Sequence, residues 1–154
     1  MMTTPDKTQL LVIGAGPGGY PAAFHAADRG MDVTLVDPEA NPGGVCLYRG
    51  CVPSKALLHA AAFLHDVEQA HTWGIQMDTP QIDHGRLHAW KDEVVAQLTG
   101  GLGQLVKQRH IDYVQGTARL LDGHRAVLAP AEGDERELAF DHAIVATGSA
   151  PASI

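Results

Sequence analysis

The chain opens its ordered pattern with a short, continuous apolar run, Gln9-Leu-Leu-Val-Ile13. A central parallel strand covered on both faces has this character. The run feeds directly into Gly14-Ala-Gly-Pro-Gly-Gly19, after which Tyr20–Arg29 is Ala-rich and helical in pattern, with Gly30 placed to stop it. A second apolar run, Met31–Val36, predicts a second strand ending in Asp37. Ahead of all this, residues 1–8 are polar and contain Pro5, which predicts a disordered lead-in. Further on, Ser54–Leu64 has the pattern of a helix body, with Pro53 in the first turn, where its missing N–H and fixed φ cost nothing. Residues 71–82 contain Gly74 and Pro80 and predict a loop. From His84 to Arg109 the positions Leu87, Trp90, Val94, Leu98, Leu102 and Leu105 recur in steps of three and four, predicting one long helix with a single apolar stripe. Gly100, Gly101 and Gly103 interrupt it at up to about 1 kcal/mol each relative to Ala, which marks a break or a close backbone contact. Residues 111–140 divide into short strand-like pieces at Asp122-Gly123 and Gly133-Asp134, predicting a small antiparallel meander. Phe140–Thr147 then returns as a buried strand ended by Gly148-Ser-Ala-Pro151.

The first fifty residues carry a complete strand–glycine loop–helix–strand–acid pattern. Gly14 permits the tight turn, Gly16 lets backbone approach a pyrophosphate, and Gly19 allows helix and strand to pack closely. Phosphates are expected on the free N–H groups at the helix N-terminus, and Asp37 is spaced to accept from a ribose hydroxyl. This fingerprint does not choose between a nicotinamide dinucleotide and FAD.

The two cysteines, Cys46 and Cys51, lie in Gly43-Gly-Val-Cys-Leu-Tyr-Arg-Gly-Cys-Val-Pro-Ser-Lys55. A crosslink closing so short a loop is worth roughly 2 kcal/mol, so the pair is a poor staple and a plausible redox couple. The thiolate is the reactive form of cysteine, and cationic neighbours or a helix N-terminus favour it; Cys51 stands where the helix begins, and Lys55 follows. Structural zinc needs four ligands, and there is no second Cys pair. His84 and His88 share a helix face, but without an evident third ligand they are read as solvated, and no metal site is expected.

Composition narrows the partners. A formal net charge of −7 argues against a nucleic-acid surface and leaves no basic patch for anionic lipid. The apolar run at Leu10–Ile13 is too short to span a bilayer and lacks a basic segment before it, and two cysteines do not make a secreted disulfide framework. No membrane association and a cytoplasmic location are expected.

With Gly14-Ala-Gly-Pro-Gly-Gly-Tyr20, Gly43–Leu58 and Ala146-Thr-Gly-Ser149 in place, the chain from Gln9 onward resembles the lipoamide dehydrogenase family of flavin disulfide reductases. The resemblance implies an α/β chain: a Rossmann-like three-layer FAD-binding fold with a parallel sheet and a small antiparallel meander, its first segment spanning residues 9–154. It implies electron transfer from a dithiol through the Cys46/Cys51 pair and FAD to NAD⁺. Cys46 would be the interchange thiol, the more exposed of the two in the holoenzyme, and Cys51 the thiol against the flavin, with Lys55 near the ring. Gly14, Gly16, Gly19 and Asp37 would hold the ADP half of FAD. Gly44 and Val45 would flank the cofactor, Thr117 and Ala118 would touch the adenine, and Thr147 and Gly148 would approach from the last strand. Implied partners are dihydrolipoamide carried on a 2-oxo acid dehydrogenase complex and a second copy in a homodimer. Family members continue into an NAD domain and a dimerisation domain that supplies a His–Glu acid/base pair, so the 154-residue chain alone is expected to be inactive. Asp37 replaces the usual Glu, Tyr48 a frequent Asn, and Val52 a frequent Ile. The last change also occurs in glutathione and mercuric reductases, which keeps those substrates, and a non-catalytic nucleotide-binding module, as alternatives.

Overall fold

Strand β1 (Asp6–Ile13) lies between β2 (Val33–Asp37) and β5 (Arg136–Val145), parallel to both. The computed structural model describes residues 6–150 and 152. Of the expected lead-in, residues 1–5 lie outside the described residues, whereas Asp6–Thr8 extend β1. The apolar run explains the central position: Leu10 and Val12 face one cluster and Leu11 faces another, so both faces are buried. The first cluster gathers Val33, Leu35, Val106 and Ile111 with Ala23 and Ala26 of helix α1 (Gly19–Ala27). The second joins Val36 and Val114 to Ala126, Leu128, Leu138 and Phe140. Gly30, at φ 83°, terminates the α1 segment as the pattern predicted.

β2 pairs in parallel with β3 (Asp112–Leu120), and β4 (Arg125–Pro130) pairs antiparallel with both β3 and β5. The expected parallel sheet and separate meander are therefore one closed five-stranded sheet. Closure follows from the length of β5: Leu138 and Ala139 pair with β4 on one edge and with β1 on the other. Beyond Phe140 the expectation of a buried strand fails. Residues 141–145 are exposed, Val145 at 61%, and His142–Val145 pair with β1 on one edge alone among the described residues.

The chain divides into two compact units, one formed by residues up to Gly44 with those from Thr99 onward, the other by Val45–Leu98. Parallel β2 and β3 require a crossover, and here the crossover is long enough to fold on itself. It contains α2 (Gly44–Tyr48), α3 (Cys51–Gln69), a 3₁₀ turn at Ala70–Trp73 inside the expected loop, and α4 (His84–Gln108). No helix among the described residues is long and apolar enough to cross a membrane.

Helix α4 runs without a break through its three glycines. Its buried residues are Thr99, Gly103 and Val106, not the predicted leucine stripe, of which Leu98 is 47% exposed. Gly103 packs on Asn41 and Val106 joins the first core cluster, so the buried face is one residue out of phase with the leucines. Arg109, just past α4, lies 4.8 Å over the Phe24 ring and pairs with Asp28 at 3.0 Å, tying the ends of α1 and α4 together.

Candidate functional site

The glycine loop sits at the carboxyl end of β1 and leads into α1. Gly14 has φ 98°, and its N–H donates to the Val36 carbonyl at 2.8 Å. A Cβ there would strike the Ala146 carbonyl, so the turn requires glycine for conformation and for space. Gly19 has an ordinary backbone, but a Cβ on it would fall on the Gly14 carbonyl, so it closes the loop onto the end of β1. A Cβ at Gly16 would meet only the Cα of Gly44, at 3.8 Å. The space over Gly16 is thus open, and no side-chain cap closes the N-terminus of α1. The N–H groups of Gly19 and Tyr20 donate to the Gly16 carbonyl at 2.9 and 3.1 Å and Pro21 has none, so it is the open backbone over Gly16, and not the expected free N–H groups of the first helical turn, that fits a pyrophosphate.

Asp37, buried at the end of β2, accepts the Ala15 N–H at 2.6 Å and the Glu39 N–H at 2.9 Å, one on each carboxylate oxygen. The acid expected to meet a ribose braces the loop itself. Around it Tyr113 donates its hydroxyl to the Glu39 carbonyl at 2.8 Å, and Gln115 donates to the Pro38 carbonyl at 3.3 Å. Gly43 donates its N–H to the Ala15 carbonyl at 2.9 Å. Gly44, at φ 58°, packs backbone to backbone on Gly16.

The structure thus gathers Gly14, Gly16, Gly19, Asp37 and Gly44, with exposed Thr147 and Gly148 following Ala146 beside Gly14. Thr117 and Ala118 lie on β3, paired with Ala129 and Leu128 of β4; Thr117 is exposed, and Ala118 packs on the second core cluster. Sequence reasoning missed Ala15, Gly43 and Ala146 because they contribute backbone atoms.

In the second unit Cys46 lies in α2 and Cys51 opens α3, both as free thiols. Gly50 joins them at φ −127° and ψ −106°; a Cβ there would crowd the Val45 carbonyl at 3.1 Å and the Cys46 Cα at 3.5 Å. Ser54 fastens the turn by donating its hydroxyl to the Gly50 carbonyl at 2.7 Å. The thiols lie within hydrogen-bonding reach, and the bond with Cys51 is the main reason the Cys46 thiol titrates above its ordinary value, with Lys55 pulling weakly the other way. Cys51 is exposed and Cys46 partly buried. Val45 is 64% exposed, and Arg49 stands 6.0 Å over the Tyr48 ring. Among the described residues no group of three or more His, Cys, Asp or Glu is placed to hold a metal ion.

A dinucleotide-type glycine loop on a mixed α/β sheet, together with a near-adjacent thiol pair at a helix start, defines a class of nucleotide-dependent disulfide chemistry. The chain belongs to the pyridine nucleotide-disulphide oxidoreductase family, whose model matches residues 8–154. It is 42% identical over 153 residues to a dihydrolipoyl dehydrogenase of Haemophilus influenzae, covering 99% of this chain and 32% of that protein. Over 149 residues it is 48% identical to dihydrolipoyl dehydrogenase 2 of Haloarcula marismortui, covering 96% and 31%. A dihydrolipoyl dehydrogenase of Haloferax volcanii is 49% identical over 144 residues, covering 92% and 30%. The chain spans about a third of the length of these curated relatives.

Proposed function

We propose that residues 9–154 form the first segment of the FAD domain, a three-layer Rossmann-like fold, of a dihydrolipoyl dehydrogenase-type enzyme. The observation that carries it is the thiol pair: Cys46 and Cys51 within hydrogen-bonding reach across a Gly50 turn in which a Cβ would be crowded by the Val45 carbonyl at 3.1 Å. Gly14, Gly16, Gly19 and Gly44 would cradle the FAD pyrophosphate, Asp37 the ribose, and Lys55, Val45, Thr147 and Gly148 the flavin side, with Thr117 and Ala118 towards the adenine. FAD, when bound, supplies the two-electron acceptor between the thiols and NAD⁺. The chain's own part is thiol exchange. A dithiol substrate attacks the Cys46–Cys51 disulfide, its two sulfurs become joined, and the cysteines are released as two thiols, so bonds, protons and electrons balance. Dihydrolipoamide borne on a 2-oxo acid dehydrogenase complex is the substrate class supported by the relatives' names. Turnover, NAD⁺ binding, the acid/base pair and a homodimer contact would draw on residues outside this segment, as the one-third coverage of the relatives supports.

The test uses the air-oxidised chain. Mass spectrometry should find one intramolecular disulfide, and dihydrolipoamide should convert it to two free thiols per chain. Only intermolecular links, or two thiols inert to oxidation, would refute the redox role. Retention of NAD but never of FAD would refute the cofactor assignment.

A further inference from the structure

Glycine is a poor helix former, so a glycine on the buried face of a helix needs a local reason. A Cβ at Gly100 or Gly101 of α4 would meet open space. A Cβ at Gly103 would land on the Asn41 carboxamide, with Cγ 2.9 Å and Cβ 3.7 Å away. Gly103 lies between Thr99 and Val106 on the buried face of the helix, and the Asn41 side chain fills the space any other residue there would take. Asn41 heads the turn that passes through buried Pro42 and Gly43 to Gly44. That turn holds the glycine loop twice, by the Gly43 N–H on the Ala15 carbonyl at 2.9 Å and by the contact of Gly44 with Gly16.

We propose that Asn41 is a positioning residue: seated on the bare Cα of Gly103, it couples the end of α4 to the Gly14–Gly19 loop and holds that loop in the shape that receives the dinucleotide pyrophosphate. The inference rests on the assignment of this loop to FAD. The side chain's own flexibility sets how the coupling fails. A methyl at position 103 turns the carboxamide out of its seat, the 41–44 turn loosens, and the Ala15 and Gly16 backbone loses its outer support.

The experiment is a double-mutant cycle of Asn41→Ala and Gly103→Ala, with Gly101→Ala as the helix-propensity control. Peptide-level hydrogen–deuterium exchange over residues 38–46 is measured beside FAD affinity. Each single variant should exchange about five-fold faster over this turn, as expected for the loss of one packing contact that holds it. FAD affinity should weaken in parallel, and the double variant should be no worse than either single, because both remove the same contact. Gly101→Ala should leave exchange over 38–46 unchanged. Unchanged exchange in Asn41→Ala, or single effects that add in the double, would overturn the proposal; if Gly103→Ala does not fold, Asn41→Ala alone decides. Failure of the wild-type chain to retain FAD would count against the cofactor assignment, while the exchange data would still decide the coupling.

Discussion

Gly19→Ala sets two effects of opposite sign against each other. Position 19 is the first residue of α1, and Ala is the better helix former by up to about 1 kcal/mol. Against this, the new Cβ falls on the Gly14 carbonyl, a backbone atom that cannot rotate away. Retreat of the loop is also blocked, because the Gly14 N–H is bonded to Val36 at 2.8 Å and the Ala15 N–H to Asp37 at 2.6 Å. Overpacking of a well-packed site costs roughly 1–3 kcal/mol, and a double-anchored backbone puts this case near 3. The net destabilisation is then about 2 kcal/mol, or a fall in Tm of about 6 °C for a chain of this size. Gly101→Ala is the internal standard: exposed, in the same class of helix and with open space around it, it should raise Tm by up to about 3 °C. Thermal unfolding followed by circular dichroism at 222 nm on both variants decides the matter. If Gly19→Ala raises Tm as Gly101→Ala does, the close approach of loop and helix is wrong.

Gly16→Val should leave Tm nearly unchanged, since its Cβ has room against Gly44, yet abolish FAD binding in a flavin-fluorescence titration. Asp37→Ala strands the buried Ala15 N–H and should cost about 2 kcal/mol by urea unfolding; a change within error would deny Asp37 its bracing role. In the reduced chain Cys51 should react with iodoacetamide before Cys46, as judged by peptide mapping. Because the Cys51 hydrogen bond is the largest cause holding the Cys46 thiol up, Cys51→Ala should move the alkylation profile of Cys46 to lower pH. Lys55→Met removes a favourable charge and should move that profile to higher pH; opposite directions would contradict the assigned causes.

Local order along the chain was legible wherever the determining contacts are near in sequence. The continuous apolar run at Leu10–Val12, the left-handed stop at Gly30, Pro53 in the first turn of α3 and the Asp122-Gly turn each express a preference satisfied within a few residues. The glycines of the dinucleotide loop were legible for the same reason, as was the thiol pair at a helix start. Tertiary structure alone decided which face of α4 is buried, because leucine spacing describes a helix without naming its neighbour, and Gly103 packs against Asn41, far earlier in the chain. It also decided the closure of the sheet, since pairing both edges of β5 at Leu138 and Ala139 needs β1 and β4 brought together from opposite ends of the chain. The role of Asp37 belongs here too. Its spacing announced an acceptor, but only the folded loop determines that its two oxygens are met first by the N–H groups of Ala15 and Glu39. Periodicity records what one element needs, whereas partners that meet across tens of residues are chosen by the packing of the whole sheet.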